Sequence, residues 1–321
     1  MCIGHGTGSK NYDIDKNQKS FKRLTLPSVL EKYFSAPPIY QHISTKMNKI
    51  LIPTDFTPVS DIAMNHALNL AKHNGAELYL LHVVGKKEEV DMARAKLEKE
   101  QAKARALNGA VTTHKLVRVG SIYKDIGDAA AEINANLIVM GTHGMRGMLM
   151  FTGSRILRII TSSEVPFIVV QDREIKVSGY DTIVVPLDLH KETRQKLTIV
   201  ADMAKTFKSK VHLITPKEDD EFLHKDLANN IKFATQYLDE RGIEHDATIS
   251  EEDSNDFVRA VVKHALALDA DLIAIMNLSK GNIFGALGLP YEQEILTNKA
   301  HIPVMCMNPR ETGTNSGWTF Q

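Results

Sequence analysis

The chain has 321 residues, 43% hydrophobic and 24% charged, enough for two globular domains with a core in each. Lys plus Arg equals Asp plus Glu at 39 each, so no global charge draws it to nucleic acid or to an anionic membrane. No apolar run approaches the roughly 18 residues of a membrane helix and the N-terminus lacks a secretory apolar core, while Cys2 and Cys306 match no metal or redox spacing; a cytoplasmic protein is expected.

Residues 1–46 are polar, with Gly4, Gly6 and Gly8 at the start and Pro37-Pro38 further on. They read as a disordered or non-native extension, with Met47 the more natural first residue and a short helix possible at 29–34. A functional basic arm is the sharper alternative. A regular alternation follows. Residues 49–53 (KILIP) are an apolar strand, 61–73 an amphipathic helix, 77–84 (ELYLLHVV) a second strand and 86–107 a charged helix. Residues 111–119 read as a strand, 121–133 as a helix, 136–140 as a strand, and 166–170 as a fifth strand after a helix from Ser154. Strands alternating with helices predict an α/β fold with a parallel sheet covered on both faces.

The pattern then recurs. TIVVPLD at 182–188 repeats KILIPTD at 49–55, 210–214 matches the second strand, 270–276 matches 135–141, and 301–306 matches the last strand with its proline. A repeat of about 135 residues is far longer than solenoid periods, so two tandem doubly wound domains are expected. Their bounds are 47–173 and 178–309, joined by a polar stretch, with a flexible tail at 310–321.

Chemistry concentrates where strands end. In a doubly wound sheet, ligands lie beyond the C-terminal strand ends, where strand order reverses. Asp55 follows the first strand and Gly141 ends the fourth, ahead of the loop Gly141-Thr142-His143-Gly144-Met145-Arg146-Gly147 that runs on to Gly153-Ser154. Strand, glycine loop and helix start present backbone N–H groups to a phosphate. The bland reading of Asp55 is a turn or N-cap residue ahead of Thr57-Pro58; that of the glycines is a tight turn. His143 reads equally as a ligand or dimer contact and as a turn histidine, and Arg146 equally as a phosphate contact and as a solvated surface arginine.

The segments PTDF (53–56), LLHVV (80–84), VMGTHG (139–144), GS (153–154) and VPFIVV (165–170) together resemble the universal stress protein family, over roughly residues 47–308. Duplication makes the chain similar to tandem, two-domain members. The resemblance implies Rossmann-like domains with strand order 3-2-1-4-5, arranged as a pseudo-dimer whose last strands pair antiparallel, with homodimerisation through other surfaces open. It also implies an ATP site, with magnesium a possible companion. Asp55, beside Pro53 and Thr54, would contact the nucleoside and the Val83 backbone would lie against adenine. Met140, Gly141, His143, Gly144 and Arg146 would line ribose and phosphates, and Gly153 and Ser154 would hold phosphate. The family spacing between Gly144 and the Gly-Ser pair is nine residues; here it is eight, 145–152.

The second repeat departs further. Met276 and Ser279 stand at the positions of Gly141 and Gly144, and Pro290-Tyr291 at those of Gly153-Ser154. Proline offers a phosphate no N–H, so this half is expected to have lost the ATP site, although Asp188 matches Asp55 and Lys280, Gly281, Gly285 and Gly288 still make a glycine-containing loop. Lys96, Lys99, Lys103 and Arg105 interleave with Glu88, Glu89, Glu98 and Glu100, which reads as a solvated helix face and not a nucleic-acid surface. Three functions compete: a regulatory stress-response protein binding ATP in its first domain, a ligand-free interaction module, and a slow ATP-hydrolysing enzyme. The absence of GxxxxGK[ST] and of paired carboxylates disfavours the enzyme. The first reading is the one the residues favour.

Overall fold

The structure, a computed structural model, describes residues 22–23, 47–142, 153–189, 194–253, 256–278 and 291–309. The short strand β1 (Lys22–Arg23) precedes the first repeat. That repeat contains β2 (Lys49–Pro53), α1 (Pro58–Asn74), β3 (Glu77–Val84), α2 (Val90–Leu107), β4 (Thr113–Val119), α3 (Ile122–Glu132), β5 (Leu137–Gly141), α4 (Gly153–Thr161) and β6 (Phe167–Val170). The second contains β7 (Thr182–Pro186), α5 (Lys196–Phe207), β8 (Lys210–Thr215), α6 (Glu221–Asp239), β9 (His245–Ile249), α7 (Phe257–Ala267), β10 (Leu272–Met276), α8 (Tyr291–Leu296) and β11 (Val304–Met307).

Local chemistry sets the boundaries. α1 begins three residues before the periodic pattern because Thr57, in extended conformation, accepts the Ser60 N–H and Pro58 fits the first turn. It ends at Gly75 with φ 68°; the equivalent end of α5 uses Lys208 with φ 57°. The helix expected over 86–107 is split: a 3₁₀ turn at Lys87–Glu89 comes first, and the Glu89 carboxylate accepts from the Gly85 and Lys86 N–H groups. The strand expected from 111 starts at Thr113, and the helix expected from Ser154 starts at Gly153. In the second repeat the sequence pattern marks the four apolar strands; α5, α6, β9 and α7 come from the structure. β9 (HDATI) is polar because it lies at the periphery and is only half-buried.

One sheet runs through the molecule in the order β1-β9-β8-β7-β10-β11-β6-β5-β2-β3-β4. Each half reads 3-2-1-4-5 within its own repeat. All neighbours are parallel except β1–β9 and the central β6–β11 seam, where Val169 faces Val304 and Phe167 faces Cys306 in antiparallel register. β1 lies beside the edge of β9, Lys22 opposite Ile249. α1, α2, α5 and α6 cover one face with residues such as Ala67, Leu97, Val200 and Ala234. α3, α4, α7 and α8 cover the other through Ala129, Ile159, Val261 and Ile295. Both cores cross the seam without a break.

Polar contacts repeat across the seam. Gln171 donates to the Asn298 carbonyl (2.9 Å), and Asn308, its counterpart, donates to the Ile160 and Ser163 carbonyls (2.7 and 2.6 Å). The join between the repeats is clamped. Lys176 holds Asp269 and Asp271, Arg173 pairs with Asp269, and Tyr180 is fully buried with its hydroxyl 2.7 Å from His66 Nδ1.

Candidate functional site

The strand order of the first half reverses between β2 and β5, which pair through Ile50–Leu137 and Leu51–Ile138. Pro53 ends β2 and Gly141 ends β5, so Asp55 and the start of the glycine loop do meet at this crevice. Thr54 is buried, its N–H on the Leu81 carbonyl and its own carbonyl 2.7 Å from His82 Nδ1. Phe56, with φ 66°, lays its ring against His82 at 4.4 Å.

Asp55 serves as more than a turn residue. Its Oδ1 accepts from the Thr57 N–H (3.2 Å), the Thr57 hydroxyl (2.6 Å) and the Ser60 hydroxyl (2.5 Å). This fixes the entry to α1. Oδ2 is buried and has no hydrogen-bond partner among the described residues. A carboxylate oxygen shielded from solvent and left unpaired is costly; here it lies at the switch point.

Gly141 has a packing reason for lacking a side chain. A Cβ there would stand 2.8 Å from Val59 Cγ1 and 3.0 Å from the Val59 carbonyl oxygen, so the start of α1 abuts the end of β5. Gly153 is similarly enclosed: a Cβ would stand 2.8 Å from Gln293 Cβ and 2.9 Å from its carbonyl oxygen, in α8 of the other half. Both glycines therefore serve backbone approach within the protein. Met140 is buried in the core, and Ser154 is exposed at the first turn of α4. His143, Gly144 and Arg146 lie outside the described residues.

Over the ends of β3 and β4 opens a cleft of about 610 Å³, linked to the β2 end through its lining residue His82, whose Nδ1 meets the Thr54 carbonyl. Val83 lines the cleft with His82, Ile122, Tyr123 and Met92. The cleft also contains three cationic side chains that the sequence reading does not single out for a site: Lys86, Lys96 and Arg155. Lys96 looked like part of a solvated, ion-paired helix face. Lys103 does pair with Glu100 and Asp61, whereas Lys96 lies over the Phe56 ring at 5.2 Å. Arg155, directly after the Gly-Ser pair, was recognisable by position alone. Among the described residues no group of three or more His, Cys, Asp or Glu side chains is placed to hold a metal ion.

The second half fills the equivalent space differently. β2 and β7 correspond with an offset of 133, which puts Lys196 at the position of Ala63 and Pro216 at that of Val83. Lys196 is buried, its ammonium donates to the Pro186 carbonyl, and burial lowers its pKa to about 8 against the opposing pull of Asp188. Counting back from Pro166 and Pro303, Glu292 stands where Arg155 stands. Its buried carboxylate accepts the Leu278 N–H at 2.9 Å. A lysine and a glutamate of the chain are thus buried in this half at the positions of Ala63 and Arg155.

A family model described as "Universal stress protein family" matches residues 46–171. A curated universal stress protein of Methanocaldococcus jannaschii is 32% identical over 155 residues, covering 44% of this chain and 91% of the relative. The crystal structure of a universal stress protein from Archaeoglobus fulgidus superposes with a TM-score of 0.65 at 18% identity, covering 84% of this chain and 98% of that one. A functionally unknown protein from Pseudomonas aeruginosa gives 0.58 at 15%, covering 82% and 93%. Both have the same fold across the two repeats. The chain belongs to the universal stress protein family.

Proposed function

We propose that this protein is a stress-response regulator that binds one adenine nucleotide, ATP, in the crevice of its first half, and that it catalyses no committed reaction. The proposed domains are 47–173, which binds, and 178–309, which pairs with it. The observation that carries the reading is the buried Asp55 Oδ2 at the switch point, which has no partner among the described residues, together with a cleft of about 610 Å³ over the β3 end lined by Val83. Asp55 accepts from a ribose hydroxyl, the β3 strand end lies against adenine, and the start of α4 receives phosphates. Restriction to one half is supported by Pro216, which has no N–H where the first half has Val83, and by the buried carboxylate of Glu292 at the position of Arg155.

Calorimetric titration with ATP tests this: about one site per chain is expected. No binding overturns the nucleotide reading, and two equivalent sites overturn the loss in the second half. Asp55→Asn keeps an oxygen for Thr57 and Ser60 but removes the charge, so ATP affinity should fall by roughly tenfold to a hundredfold, the range of about 1.5–3 kcal/mol for a hydrogen bond to a charged group, with an unchanged melting temperature. ATP turnover well above background, lost in Asp55→Ala with binding retained, would assign an enzyme instead.

A further inference from the structure

We infer that the cleft of the first half selects its ligand by phosphate number, favouring a polyphosphate chain over a nucleoside or a monophosphate, and that Lys86, Lys96 and Arg155 are the residues that set this preference. The inference rests on the nucleotide reading of the same crevice. The chain as a whole is neutral, 39 cations against 39 anions, yet this cleft holds three cations and a single carboxylate, Glu89. That carboxylate is engaged with the Gly85 and Lys86 backbone N–H groups at 3.0 and 3.1 Å.

None of the three cations makes an ion pair with a described carboxylate, whereas neighbouring Arg94, Lys103 and Lys115 each hold one. Converging cations in a concave site focus potential on whatever enters it. The cations also come from separate elements. Lys86 precedes α2, Lys96 lies on α2, and Arg155 follows Gly153-Ser154 on α4, and all three line the cleft. A single phosphate cannot meet positive charge from all of these at once; an extended chain of phosphates can. Glu292 at the Arg155 position, a reversal of charge, leaves the second half without the same field.

The test is a titration series on the full-length protein with adenosine, AMP, ADP, ATP and inorganic tripolyphosphate, at about 0.05 and about 0.3 M salt to vary screening. Affinity should rise roughly three- to tenfold with each added phosphate charge at low salt, and the gain should shrink at high salt while adenosine is unaffected. Lys96→Gln and Arg155→Gln should each compress the ATP-to-AMP ratio by at least threefold with adenosine binding held within twofold; the adenosine readout separates loss of charge from loss of fold. Equal affinity for adenosine and ATP, or a ratio unmoved by both variants, overturns the inference and leaves the adenine reading standing. Tripolyphosphate binding with no added affinity from adenosine overturns the adenine reading and supports the polyphosphate one. No binding of any ligand overturns both.

Discussion

The two oxygens of Asp55 stand in different surroundings. One oxygen ties the entry of α1, and the other is buried without a partner. The sequence offers both readings as alternatives because a turn acid and a ligand acid occupy the same place after a strand; in the structure the turn bonds use Oδ1 alone. Lys196 is the contrary case. Nothing in its local sequence distinguishes it from a surface lysine, since its burial follows from packing where the first half has alanine. Its folded pKa, about 8, lies below the ordinary 10.5, so the unfolded chain holds the proton more tightly. The contribution to stability is full above about pH 10.5 and is lost as pH falls towards 8. Between pH 8 and 10 the protein should therefore gain stability relative to Lys196→Met, seen as a widening gap in denaturation midpoints; parallel curves would show that the amine is solvated.

At the level of elements, the two glycines of the family signature are explained by what packs on them. The sequence marks them as loop glycines with a ligand purpose, yet Gly141 faces α1 and Gly153 faces α8. Contacts between elements distant in sequence are invisible to local pattern, which is why the α4–α8 contact had no signal. Gly153→Ala should accordingly destabilise the fold by roughly 1–3 kcal/mol, the usual cost of forcing extra volume into a tight contact, measured as a lower urea midpoint without nucleotide. An unchanged midpoint would mean that α8 yields freely. Strands and helices of the first half were legible almost to the residue because apolar runs and capping chemistry are local. β9 was not, because a peripheral strand needs few apolar residues.

For the whole molecule, the join between the repeats is a structural member. His66 lies in α1 with Nε2 3.0 Å from the Arg173 carbonyl, so Nε2 carries the proton and Nδ1 accepts from the Tyr180 hydroxyl. Burial holds its pKa below 6.5. Stability from this neutral imidazole is full above about pH 6.5 and declines as pH falls below it, when the unfolded state takes up the proton first. Melting temperatures at pH 7.5 and 5.5 should differ more for the natural protein than for His66→Gln; equal differences would place the acid sensitivity elsewhere. The repeat was legible from its strands alone, while this clamp depends on one histidine that fits any amphipathic helix. The β6–β11 seam has a final consequence. Because both of its strands belong to one chain, they meet at an effective concentration set by the tether and not by how much protein the cell contains. Pairing is then a first-order event, indifferent to dilution, and the crevice of the first half keeps the same neighbour even when the protein is scarce.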